Sequence, residues 1–178
     1  MLPVLRRLAV LLALPLCAIA ADEPVVSVPE VDLTRYLGRW YEVASFPMFF
    51  QKRCLGDTTA EYAIRPDGDI AVSNRCRAED GIIEANGRAS VVAGSGNARL
   101  KVSFFWPFKS DYWIIGLDAD YRWAVVGNPN RKTLWILSRT PTLPEDDLLR
   151  AKATAVAQGY DLALLRTTAQ NEKIPAEK

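Results

Sequence analysis

From residue 40 onward the chain reads as short runs of alternating apolar and polar positions, with turn residues every 8 to 12 positions. Period-two alternation puts successive side chains on opposite faces of a strand. Regular turn spacing of this kind marks a β-sandwich or a barrel. The runs fall at 40–46, 58–64, 70–77, 82–92, 99–105, 112–117, 122–127 and 133–139. Arg65-Pro66-Asp67-Gly68-Asp69, Gly94-Ser95-Gly96-Asn97, Asp118-Ala119-Asp120 and Asn128-Pro129-Asn130 lie between successive runs and carry turn chemistry. Eight antiparallel strands joined by short hairpins close most simply as an up-and-down barrel, whose interior is packed by side chains or holds one small ligand.

One helical pattern follows the strands. Thr142 and Glu145 have capping-box spacing, Pro144 and the acidic Glu145, Asp146 and Asp147 suit a first turn, and Gly159 suits a stop. Leu148, Ala151 and Ala155, with Leu149, Lys152 and Val156 beside them, give the helix a mostly apolar side. Residues 162–165 read as a short closing strand, and the tail from Gln170 is polar. The expected fold is all-β: an eight-stranded antiparallel up-and-down barrel with one C-terminal α-helix packed outside.

The first twenty residues stand apart. Arg6 and Arg7 precede a short apolar run at 8–16, and Ala18-Ile19-Ala20 supplies the small residues of a signal-peptidase site. The run is too short to span a bilayer of ~30 Å, so residues 1–20 are expected to be a cleaved secretory signal. Residues 21–178 then form a single domain with its core at about 32–169. Cys17 sits where a lipoprotein signal places its acylated cysteine, but that signal asks for a small residue just before it, and Leu16 is bulky. Soluble periplasmic export is the expectation. An outer-membrane lipoprotein anchored at Cys17 is the alternative.

Removing Arg6 and Arg7 with the leader takes 22 basic residues to 20 against 21 acidic ones. With no basic excess, a nucleic-acid partner is not expected. Cys54 and Cys76 then remain in an oxidising compartment, where a disulfide is the default. The chain has no histidine. Ser–His–Asp and Cys–His catalysis and the usual zinc sites are therefore unavailable. No Asp/Glu or Ser/Lys group has a recognisable catalytic spacing, so no catalytic residue, metal or cofactor is expected.

Gly38-Arg39-Trp40-Tyr41 at the head of the first strand resembles the G-x-W signature of the lipocalins. Asp120-Tyr121 resembles their second motif, and Arg139 in Ile136-Leu137-Ser138-Arg139-Thr140-Pro141 their third. The strings Trp40-Tyr41-Glu42-Val43-Ala44, Leu100-Lys101-Val102-Ser103-Phe104-Phe105 and Leu134-Trp135-Ile136-Leu137 resemble the bacterial lipocalin group, relatives of apolipoprotein D. The resemblance runs from about Asp32 to Leu165. It implies a periplasmic binder of a fatty acid or lysophospholipid, for lipid storage or transport in the cell envelope. A carrier of another apolar ligand (a tetrapyrrole or isoprenoid) and an enzyme on the same barrel are the alternatives.

In a meander the strand ends alternate, so Gly38, Trp40, Tyr121 and Arg139 are expected together at a closed base. There, a guanidinium stacked on an indole is a structural plug. Loops at the opposite end bring Cys54 and Cys76 to the mouth, which permits their bridge. Parity then assigns the lumen: Glu42, Ala44 and Phe46 on the first strand, Ala60 and Tyr62 on the second, Leu100, Val102 and Phe104 on the fifth, Trp135 and Leu137 on the last. Small residues (Ala44, Ala60, Gly87, Ala89) among the large ones leave room for an acyl chain. Phe49, Phe50, Trp106 and Phe108 form apolar rim loops. They are read either as a portal that touches the inner leaflet of the outer membrane transiently, or as a lid packed across the mouth.

Overall fold

The computed structural model describes residues 23–171. The expected leader at 1–20, with Cys17, lies outside the described residues. Eight strands form the barrel: β1 (Gly38–Ser45), β2 (Gly56–Ile64), β3 (Ile70–Ala78), β4 (Gly81–Val91), β5 (Arg99–Phe105), β6 (Phe108–Leu117), β7 (Trp123–Gly127) and β8 (Leu134–Ser138). Each pairs antiparallel with the next. The ring closes on β1, which pairs with β2 through Gly38–Tyr41 and with β8 through Tyr41–Ser45. A short ninth strand, β9 (Arg166–Thr167), adds to Ala44 and Ser45 of β1.

The helix α2 (Glu145–Ala157) lies outside against β6 and β7, burying Asp147, Ala151 and Ala155. Leu149 and Val156 stay exposed, so its packed side is narrower than the apolar pattern indicated. Thr142 does not cap it. The N-cap is Pro144, and the Thr142 carbonyl instead accepts from Thr140 Oγ1 at 2.7 Å. The three acidic residues of the first turn complement the helix dipole in its place. Asp147 also joins the helix to the strand wall, receiving Arg122 at 2.9 Å and Arg150 at 3.1 Å.

The strand expected at 162–165 is displaced. The Asp161 carboxylate accepts from the Ala163 amide at 2.9 Å and starts a 3₁₀ turn, Leu162–Leu164, before β9 begins. Two further short elements have no period in the sequence: the helix α1 (Leu33–Tyr36) below the barrel and a 3₁₀ turn at Phe49–Gln51.

Apolar residues divide into two clusters. The inner one lies within the barrel and includes Trp40, Tyr62, Leu100, Ile114, Val126 and their neighbours. The outer one lies between the barrel wall and α2, and includes Val43, Ile115, Val125, Ile136, Ala151 and Tyr160. Ala44 and Phe46 belong to the outer cluster, which corrects their assignment to the lumen. The cause is a register shift in β1 against β8 between Glu42 and Ala44. A bulge puts two residues opposite one and reverses the parity beyond it. The Phe46 ring therefore packs 6.2 Å from that of Tyr160.

Candidate ligand-binding site

The base forms as the strand ends converge. Arg139, just past β8, sits 3.8 Å over the Trp40 ring and donates to the carbonyls of Arg39, at 2.8 Å, and Arg35. The Trp40 indole N–H donates to the Tyr36 carbonyl at 2.8 Å, which ties α1 under the barrel. Gly38 adopts φ +85°, a conformation open to glycine, as the chain turns upward beside Arg139. Tyr121 reaches this end but stacks under Arg35, 4.1 Å from the guanidinium carbon, and its hydroxyl accepts from the Asp32 amide at 2.8 Å. These contacts close the base with spent hydrogen bonds, the arrangement of a plug.

Above the base, Ala60, Tyr62, Val102 and Leu137 are buried in the inner cluster, and Trp135 packs against it with partial exposure. The β1–β8 register sets Leu137 opposite Glu42 and Trp135 opposite Ser45. Phe104 stands higher and is 45% exposed. Its ring crosses Gly87, where any Cβ would lie 2.8 Å from Cδ1. A side chain at 87 would displace Phe104, so that glycine is what lets the ring lie across β4.

Two polar groups in this wall were not assembled by sequence reasoning. Parity turns Glu42 inward, and two of its three partners come from outside the barrel strands: Ser45 Oγ and Gln51 Nε2 donate to it at 2.9 Å, and Thr168 Oγ1 at 2.6 Å. The second is a tyrosine trio. The hydroxyl of Tyr112 meets that of Tyr36 at 2.7 Å and that of Tyr62 at 2.9 Å. Burial raises all three phenols: Tyr62 to about 12, and Tyr36 and Tyr112 well above their ordinary value. Tyr112 was legible in principle, since β6 alternates Tyr112, Ile114 on one face. Tyr36 was not, because a four-residue helix leaves no period.

At the opposite end the aromatic rim is exposed rather than folded across the mouth, which removes the lid reading. Phe49 is 81% and Trp106 85% exposed; Phe50, Phe105 and Phe108 are also mostly bare. The disulfide Cys54–Cys76 fixes the β1–β2 loop to the top of β3, with Cα atoms 5.5 Å apart. Phe104 and Gly87 line a groove of about 620 Å³ with Trp106, Lys101 and Lys109, and Phe104 does not pack in the inner cluster, which corrects its reading as a lumen residue. Among the described residues no group of three or more Cys, Asp or Glu is placed to hold a metal ion.

A plugged base, a closed eight-stranded wall and an exposed aromatic rim accord with comparison to known proteins. The lipocalin-like domain family matches residues 31–170. The chain is a lipocalin. It is 41% identical to the outer membrane lipoprotein Blc of Escherichia coli K12 over 141 residues, covering 78% of this chain and 79% of that protein. Temperature-induced lipocalin-1 of Arabidopsis thaliana is 38% identical over 160 residues, 82% of each chain. Mouse apolipoprotein D is 32% identical over 150 residues, covering 78% of this chain and 77% of its own length. These matches place this lipocalin with the bacterial and apolipoprotein D relatives. Among solved structures, insecticyanin from the tobacco hornworm superposes with TM-score 0.65 at 18% identity, covering 83% of this chain and 85% of its own. That likeness concerns the fold.

Proposed function

We propose that this lipocalin carries a single-chain lipid, a fatty acid or a lysophospholipid, in its lumen on the periplasmic side of the envelope, without covalent chemistry. The observation that carries the reading is the pairing of an apolar inner wall with a bare aromatic rim at the open end of the same barrel. Each buried methylene contributes ~0.8 kcal/mol, so an acyl chain against Val102, Trp135 and Leu137 offsets the ordering cost of association. The rim suits transient contact with the inner leaflet of the outer membrane, because exposed aromatic patches of this extent seek an apolar partner. The related Blc proteins carry the name outer membrane lipoprotein, which fits an envelope setting. Titration calorimetry of delipidated protein with lysophospholipid and with a long-chain fatty acid tests the reading. Micromolar or tighter binding is expected, and no heat with either ligand would overturn it.

A further inference from the structure

Tyr36, Tyr112 and Tyr62 form a chain of three hydroxyls joined by two contacts. Three hydroxyls carry three protons, and two contacts spend two. No other hydrogen-bond partner of these hydroxyls occurs among the described residues. Tyr36 and Tyr62 are nearly sealed, at 2% and 5% exposure, whereas Tyr112 keeps partial solvent access. A sealed donor without an acceptor costs free energy comparable with a lost hydrogen bond. The favoured arrangement therefore has both sealed hydroxyls donating to Tyr112. The surplus proton then falls to Tyr112, the one of the three residues that is only partly buried.

We infer that this surplus O–H recognises a neutral oxygen (a hydroxyl, ketone or ester carbonyl) borne at the buried end of an otherwise apolar chain. The inference rests on the lipid-carrier reading and specifies the ligand's inner end. Neutrality follows from the donors on offer at the trio, although the charge of Arg139 is felt at Tyr36 and Tyr62. The rest of the inner cluster near it is aliphatic, with Ala60, Val72, Leu100 and Val102. Arg139 directs its N–H groups to the carbonyls of Arg39 and Arg35. One phenol donor cannot replace the water shell of a carboxylate, but it satisfies a single hydroxyl or carbonyl. Burial keeps the phenols protonated at neutral pH, so the donor is present under ordinary conditions.

The test compares ω-hydroxydodecanoic and ω-hydroxyhexadecanoic acid with the unsubstituted acids by calorimetry on delipidated protein. The wild type should bind each member of a pair within about twofold. In Tyr112→Phe the hydroxylated acids should bind about tenfold more weakly relative to their plain partners, the cost of an unpaired buried hydroxyl. The double variant Tyr36→Phe/Tyr62→Phe should keep the wild-type ratio, since Tyr112 retains its proton. An unchanged ratio in Tyr112→Phe, or a ratio lost only in the double variant, overturns the proposal. As a measurement without mutation, the Tyr112 ring-carbon resonance of labelled wild type should move with a hydroxylated acid and not with its plain partner. Equal movement with both also overturns the proposal. If no acid binds the wild type, the carrier reading fails and takes this one with it; if the plain acids alone bind, only this one fails.

Discussion

Phe46 and Trp135 show what a single residue's position decides. Both are large, apolar and close to the open half of β1 or β8, yet one packs against Tyr160 outside and the other against the inner cluster. Phe46→Ala should therefore cost about 3–5 kcal/mol of stability, as buried aromatic truncations do, and leave lipid affinity unchanged once the protein is folded. Trp135→Ala should weaken lipid binding at modest cost in stability. Parallel urea titrations and calorimetry separate the two, and loss of binding in the Phe46 variant alone would contradict the assignment. Arg139→Ala removes a stacked guanidinium, worth on the order of 1–2 kcal/mol, and should lower the urea midpoint with little change in affinity. The tyrosines set an alkaline limit. Their folded phenols titrate above the ordinary value of 10.0, Tyr62 at about 12. The stability they provide is complete below about pH 10 and is lost as pH rises through 12. Urea midpoints that fall over that interval, together with late phenolate absorbance, are the expected result.

At the scale of elements, alternation and turn chemistry located every barrel strand to within a few residues, because both are local properties of a half-buried strand. β5 coincides with its expected span, 99–105. β6 begins at Phe108, earlier than the alternating pattern indicated. Its first residues pair with β5 across a register shift that local alternation does not reveal. The bulge in β1 is the costlier miss, since it changed no strand boundary but turned Ala44 and Phe46 outward. The disulfide closes a 22-residue loop across the β1–β2 segment and β3. Chain-entropy reasoning assigns such a loop roughly 3 kcal/mol. Replacing Cys54 and Cys76 together by serine should lower stability by about that amount, and differential scanning calorimetry reads it directly. The C-terminal segment is held by long-range polar contacts, with Thr168 donating to Glu42 and to the Val43 carbonyl. Glu42→Leu should therefore speed hydrogen exchange at the Thr168 amide without opening the barrel strands.

For the whole molecule, the rim and the lumen are expected to act on different quantities. Charged replacements at Phe49 and Trp106 should slow lipid uptake from vesicles while leaving affinity for monomeric ligand nearly intact, because on the proposed carrier reading those rings meet the donor surface rather than the stored chain. Stopped-flow transfer from labelled vesicles measures the first and calorimetry the second. Equal loss of both would place the rim inside the binding site.

The sequence by itself determined the barrel class, the strand count, the outer helix and the motif residues that gather at the base. Each rests on a short-range period, a turn or a recognisable string. It also brought Cys54 and Cys76 within reach, since a meander returns alternate loops to one end. Only the tertiary structure decided which face Ala44 and Phe46 present, that Glu42 is answered by Gln51 and Thr168, and that Tyr36 joins Tyr62 and Tyr112 in one hydroxyl chain. The physical reason is the same in each case. A bulge adds one residue without altering composition, and a hydrogen bond between side chains as distant in the chain as Tyr36 and Tyr112 leaves no period to read.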